Sequence, residues 1–476
     1  MSIVPRDLRL PLLSCVVVVG LATAPIAAAQ TPTPSLQTFT LDQAVRYALE
    51  HYPTVRAALE GVNGSEANVS AAKAAYLPRL DSLWQSNRAT ANNIFGQVLP
   101  QSVIPAMSGP VLPAASADSV WGSAAGALFS WEPFDFGVRH AAVSAAEAAV
   151  SRARAGEALT QLDVQAAVAA AFLNVAAASR AVAALQADLD RRDVLSRAVH
   201  TLVDNQLRPG AEASRSDAER AVAETRLIQA RQALTLGEIA FARTLGLAIG
   251  TVAIDATSLA DRVPVDLITP GTATHPLTAL HQGAVDVARA QEEVLSRTDL
   301  PHVYLQSSVF ARGSGANPNG QLDGGAAGLG LDRANWAAGV QIVFPNAFDF
   351  TSLRARKAAA AAATRSETAL FDEAVLTVTS QEHTADAMVE AARAIAANIP
   401  VQLAAAQQSE SQARARYQAG LASIVEIADA QSLLAQAEVQ DQLARIDVWR
   451  ALLAQSVAHG TLAPFLAAAN STAGVR

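Results

Sequence analysis

Residues able to do chemistry are few and scattered in this 476-residue chain. Its eight histidines (His51, His140, His200, His275, His281, His302, His383 and His459) show neither a His-Glu-x-x-His pattern nor metal-cluster spacing. Gly313-Ser314-Gly315 lacks the Gly-x-Ser-x-Gly elbow of a serine hydrolase. The stretch 313–332, with Asn317-Pro318-Asn319-Gly320 and Gly324-Gly325, lacks the Gly-Lys-Ser/Thr and the βα unit of a nucleotide loop. No enzyme and no cofactor are expected. What remains is charge. Glu426 and Asp429 are three residues apart, which places two carboxylates on one helix face. Like charges held close raise each other's pKa and attract cations. As residues alone they read either as such a pair or as solvated carboxylates on an exposed hairpin.

The elements that must hold them come in two copies. Leu77-Pro78 is echoed 223 residues later by Leu300-Pro301, Phe134-Asp135-Phe136 after 214 residues by Phe348-Asp349-Phe350, and Asp217-Ala218-Glu219 after 212 by Asp429-Ala430-Gln431. Each copy is roughly 200 residues, too long for a solenoid unit, so a half has been duplicated. Each half reads as helix, strand pair, very long helix, return helix. Residues 137–205 contain no proline and consist mostly of good helix formers. Val168, Phe172, Val175, Val182, Leu185, Leu189, Val199 and Val203 form a narrow coiled-coil seam along them. About 69 residues at 1.5 Å each span roughly 100 Å. The stretch 205–211, with Pro209-Gly210, breaks this helix and a second returns over 211–245; in the second copy a helix over 352–418 turns at Ala419-Gly420-Leu421-Ala422-Ser423 and returns to 459. Pro400 must kink or break that second long helix.

Strands are expected at 80–95, 120–136, 302–312 and 335–350, where Trp84, Trp121, Trp131 and Trp336 fall. Tryptophan gathered there suits the girdle of a transmembrane barrel; the alternative is the edge of a soluble sandwich. Alternation is weak but visible: Val303, Leu305 and Val309 oppose Gln306, Ser308 and Arg312, and Val340, Ile342 and Phe344 flank Gln341. Four strands cannot close a barrel, and lipid forbids open edges, so oligomerisation is required; three copies, giving about twelve strands, would make one closed count. The class is an α+β membrane protein.

The start of the chain sets the compartment. Arg6 and Arg9 precede an apolar run and Ala27-Ala28-Ala29 forms a cleavage site, which reads as a secretory signal peptide over 1–29. An uncleaved membrane helix, or lipidation at Cys15, the only cysteine, are the alternatives. Net charge is −8, and −9 without the two arginines and Asp7 of that segment, which argues against a nucleic-acid partner. No other segment is read as a bilayer-spanning helix. The expected organisation is a first repeat over 30–250 (strands 80–136, helical hairpin 137–246), a connector over 251–276, a second repeat over 277–460 (strands 302–350, helical hairpin 352–459) and a tail over 461–476.

A family resemblance rests on Leu41-Asp42-Gln43-Ala44-Val45, Ala48-Leu49, Tyr52-Pro53 and Ala71-Ala72-Lys73-Ala74-Ala75-Tyr76-Leu77-Pro78. It rests equally on Arg416-Tyr417-Gln418-Ala419-Gly420-Leu421-Ala422-Ser423, leading to Glu426 and Asp429-Ala430-Gln431. Over essentially its whole mature length the chain resembles the TolC-like outer membrane efflux proteins. The resemblance implies a homotrimer with a twelve-stranded barrel in outer membrane lipid and a periplasmic helical tunnel. Its helical tips would dock on a periplasmic adaptor and, through it, on an inner-membrane pump or ABC exporter, in efflux or type I secretion. It also implies a pore constriction at Glu426 and Asp429 and a gate latch at Tyr417. Gly420, Leu421, Ala422 and Ser423 would dock the adaptor, with Arg208, Pro209 and Gly210 at the first tip. An arginine that some members use in the latch falls at Ala422, and Arg208-Pro209-Gly210 departs from the usual Gly-Leu-x-Ser. The rival reading is a periplasmic coiled-coil envelope protein without a channel. Drugs, metal ions and polypeptides all stay open as cargo.

Overall fold

The architecture comes from a computed structural model whose described residues are 37–90, 98–105, 117–247, 252–256, 259, 274–345 and 349–471. The expected signal peptide with Cys15, most of the connector, Phe348 and the last five residues lie outside them. Strand β1 (Gln37–Phe39) leads into α1 (Leu41–His51), opened by a capping box between Thr40 and Gln43. Tyr52-Pro53 ends α1 and starts α2 (Pro53–Ala74), with proline in the first turn where its missing N–H costs nothing. Strands β2 (Arg79–Thr90) and β3 (Ser119–Phe134) follow, then α3 (Val138–Asp204) and α4 (Gly210–Thr244). Strand β4 (Val252–Ile254) precedes the second copy: α5 (Pro276–Arg297), β5 (His302–Ser314), β6 (Arg333–Val343), α6 (Phe350–Gln418), α7 (Ile424–Ala458) and a last helix α8 (Ala463–Ser471).

The four long strands form one antiparallel sheet in the order β2-β3-β5-β6, so the two repeats meet at the central β3–β5 pair. Register assigns its faces. Trp131 lies opposite Leu305, Leu305 opposite Val340, and Val309 opposite Trp336. With Leu80 and Trp84 these residues make one apolar face on which Trp84 and Trp336 are 74% and 77% exposed. Directly opposed residues share a face, so Trp121 belongs to it as well. The other face carries Arg79, Asp81, Gln85, Gln306, Arg312 and Gln341. Among the described residues neither β2 nor β6 has a partner along its outer edge.

Strand passes to rod through a tight turn. Phe136 (φ 51°) and Gly137 (φ 95°) are left-handed, and the Asp135 carboxylate accepts from Gly137 N (3.1 Å), Arg139 N (2.6 Å) and Arg139 Nε (2.9 Å). Arg139 N, one of the orphan donors in the first turn of α3, is thereby satisfied. Arg139 also lies 4.7 Å from the Tyr76 ring and donates to Ala75 O, tying the rod to the residues that open β2.

α3 pairs with α4 and α6 with α7 as long hairpins, and α3 lies against α7 to join them. The main core sits part-way along the rod, where Phe172, Phe241, Leu452, Trp449 and Phe465 pack with the small β1–β4 sheet and α8. There Trp449 Nε1 donates to Leu259 O (2.9 Å), and its ring meets Phe465 edge-on. α6 runs unbroken past Pro400, which is exposed, so of the two outcomes expected there the break does not occur. By length and composition α3 does contain a stretch apolar enough to cross a bilayer; its residues around Val168 and Phe172 are instead buried in the main core.

Candidate functional site: the joined hairpin tips

The two hairpins end alike. α3 closes with Gln206 in the left-handed region (φ 59°), Gln206 N bonding Val203 O and Leu207 N bonding Leu202 O, both at 2.8 Å. α6 closes with Gly420 (φ 74°), Gly420 N bonding Tyr417 O (3.0 Å) and Leu421 N bonding Arg416 O (2.8 Å). This is the same Schellman closure twice, 214 residues apart. The first reversal therefore falls at Gln206, inside the expected break over 205–211 and three residues before its Pro209-Gly210. Pro209 is the N-cap of α4, and Gly210, at the first helical position, has an ordinary φ. At Gln206 a side chain occupies a conformation that Gly420 adopts freely.

Once aligned, the tips pair Leu207 with Leu421, Arg208 with Ala422, Pro209 with Ser423 and Glu212 with Glu426. Leu207 and Leu421 are 68% and 71% exposed. Ala422 instead lies in a small core with Val199, Ala213, Tyr417, Ile424 and Ile427 that seals the two hairpins together. Ser423 caps α7 in a box with Glu426, whose second oxygen lies 3.5 Å from Arg416. Asp429 is exposed one turn on, in a stripe with Val425, Glu426 and Leu433.

Tyr417 bridges the hairpins. Its hydroxyl donates to Glu212 Oε2 (2.8 Å), while Arg208 donates to its carbonyl (3.0 Å) and covers its ring at 4.7 Å. Arg208 Nη1 also lies 3.6 Å from Glu212. Burial first, then the hydrogen bond to Glu212, pushes the phenol up to about 12. Arg208 stands at the position of the first tip that is pseudo-equivalent to Ala422. Glu212 was not anticipated, although it stands third in its helix as Glu426 does.

Above the tip the joint turns polar. Asp188, Arg192 and Ser196 are buried where the seam was read as apolar. Arg192 binds Asp188 (3.1 Å), Glu219 (3.1 Å) and Ser432 (3.0 Å), linking α3, α4 and α7. Arg191 reaches Glu438 (2.5 Å), and Ser196 and His200 share Asp217, whose pKa is lowered chiefly by its hydrogen bond to His200. Among the described residues no group of three potential ligands could hold a metal ion.

Residues 44–247 match the family described as outer membrane efflux protein. No curated protein matches the chain in sequence. Among solved structures, the outer membrane protein VceC of Vibrio cholerae is 18% identical with a TM-score of 0.70, covering 88% of this chain and 96% of that one. The CmeC outer membrane channel of Campylobacter jejuni is 14% identical, with a TM-score of 0.69 over 88% of this chain and 85% of that one. The open-state MtrE outer membrane channel of Neisseria gonorrhoeae is 17% identical, with a TM-score of 0.68 over 88% and 89%. At these identities the likeness is one of fold. The first repeat is thus similar to the outer membrane efflux protein family, and along 88% of its length the chain shares the fold of the VceC outer membrane protein.

Proposed function

We propose that this protein is the outer membrane duct of a tripartite exporter, a passive trimer extending into the periplasm and powered by other components. The observation that carries the reading is the four-stranded sheet. Its aromatic face is exposed, its opposite face is polar and, among the described residues, both its edges are free, which in lipid demands closure with further copies. Three copies give about twelve strands, with the polar face lining a pore. A periplasmic coiled-coil scaffold would leave the exposed Trp84–Trp336 face without a role.

The joined tips form the entrance. Tyr417, Glu212 and Arg208 hold the hairpins together, Glu426 and Asp429 supply negative charge at the mouth, and Leu207 and Leu421 offer apolar contacts to a periplasmic adaptor. Through that adaptor the duct receives cargo from an inner-membrane pump or ABC exporter, which selects it. The test is to extract the protein from outer membranes in mild detergent and reconstitute it in planar bilayers. A stable trimer carrying stepwise current is expected; a monodisperse, folded monomer that conducts nothing overturns the reading.

A further inference from the structure

The segment 98–105, between β2 and β3, does not stand away from the sheet. Val103 and Ile104, 8% and 3% exposed, pack with Val98 against Leu83, Ala124, Leu128 and Phe310. All four wall residues lie on the polar-lined face, opposite Trp84 and Trp336. The seat is shaped for the segment. Gly126, on the same face, has no Cβ, and one built there would meet the Phe310 Cβ at 2.7 Å, so glycine lets that aromatic lie against β3.

The segment is held in shape from within. Gln101 Oε1 accepts from Val103 N (2.6 Å) and Ile104 N (2.7 Å), and its amide donates to Ile104 O (2.8 Å). Leu99 N donates to Gln85 Oε1 on the wall (3.2 Å). The contact is also deep. Leu83 lies seven residues back from Thr90, where β2 ends away from the helices, or about 23 Å along the strand. Leu99 remains half exposed above the seat.

Resting on the duct reading above, we propose that residues 98–105 are a second constriction inside the barrel, which sets the cross-section of the pore's outer half and hence the size of cargo that passes without displacing it. Three copies around the axis narrow one level of the pore. A twelve-stranded wall encloses more space than its own side chains fill, so an inserted segment at this depth decides the free width. The seat is releasable: it is small, and the Gln85 Nε2 donor beneath it is buried without a partner among the described residues, a recurring cost of the inserted state.

The test uses reconstituted full-length trimers in a Tyr417→Phe, Arg208→Ala background, so that the tip does not limit current. Val103→Asp with Ile104→Asp places charges in an apolar seat and expels the segment. Conductance should rise about twofold, and polyethylene glycols that the parent excludes should enter. Independently, with Cys15 replaced by serine, Val103→Cys should react with a charged thiol reagent at least about tenfold more slowly than Leu99→Cys, because only the second site is exposed. Unchanged conductance and glycol exclusion in a conducting trimer, or equal labelling at the two sites, overturns the constriction and leaves the duct standing. A parent trimer that passes no current overturns the duct reading and this inference with it.

Discussion

Tyr417 donates its hydroxyl to Glu212 across 2.8 Å, and that one bond joins the tips of hairpins that begin 212 residues apart, at Val138 and Phe350. Tyr417→Phe removes the donor and leaves the ring under Arg208. A hydrogen bond to a charged acceptor contributes roughly 1.5–3 kcal/mol, so the open population should rise about tenfold or more. Single-channel recording checks this; unchanged open probability means that the tip is held elsewhere. The pH dependence has a definite sign. The folded phenol titrates at about 12, above its ordinary 10, so its contribution is complete below pH 10 and is lost as pH rises toward 12. Opening should increase over that window in the parent, and the Tyr417→Phe channel should lack the step.

Charge at the mouth can be separated from helix capping. Glu426 serves the N-cap of α7, so alanine there would cost about 0.5–2 kcal/mol of local stability. Glu426→Gln with Asp429→Asn keeps a hydrogen-bonding side chain in the capping position and removes both charges. Block by trivalent cations should weaken severalfold and the cation preference should fall. The difference from the parent should shrink in high salt, where charges in water are screened over a few Å. Identical block in parent and variant would put these carboxylates outside the pore.

The exposed leucines should matter to partners and not to folding. Leu207→Asp or Leu421→Asp replaces an apolar side chain already in solvent, so trimer yield and melting temperature should change by no more than about 0.5 kcal/mol in equivalent stability. Adaptor crosslinking and export should be lost. Normal export by both variants would remove the tips from the docking surface.

Asp188 should behave in the opposite way. Its side chain is 1% exposed and its partner Arg192 3% exposed. Asp188→Ala leaves a buried guanidinium short of its acceptor, for an expected loss of about 3–5 kcal/mol. Thermal melting of the trimer measures it. A loss under 1 kcal/mol would mean that Glu219 and Ser432 alone suffice for Arg192.

The long elements could be read in the sequence because their signals are local and repeated. Leu77-Pro78 and Leu300-Pro301 precede corresponding strands, and the helices of the rods contain little besides helix formers. The three-residue strands β1 and β4 could not be read, since their pairing joins Gln37 to Val252 and neither carries a periodic pattern. The polar joint was missed for a related reason. Asp188, Arg192 and Ser196 occupy seam positions, but a search for apolar spacing passes over them. The first reversal falls within the break read over 205–211; that Gln206 is its left-handed residue could not be read, because glycine is the usual mark of such a cap. Val103 and Ile104 lie between prolines in a stretch that reads as loop, and only register shows which face of the sheet they cover.

The place of β3 and β5 at the centre of the sheet bears on how the ring is built. Among the described residues each repeat brings one strand to the inner joint and one to a free edge, so in the proposed trimer a closed ring would alternate the two repeats six times around. The β3–β5 seam would then be an intramolecular copy of the seam that β6 would make with the β2 of a neighbouring copy. Six separate hairpin units would need five encounters to close such a ring; three fused pairs need two. Each encounter costs on the order of 4–15 kcal/mol of lost translational and rotational freedom, so the duplication stored in the chain removes three such penalties before assembly begins.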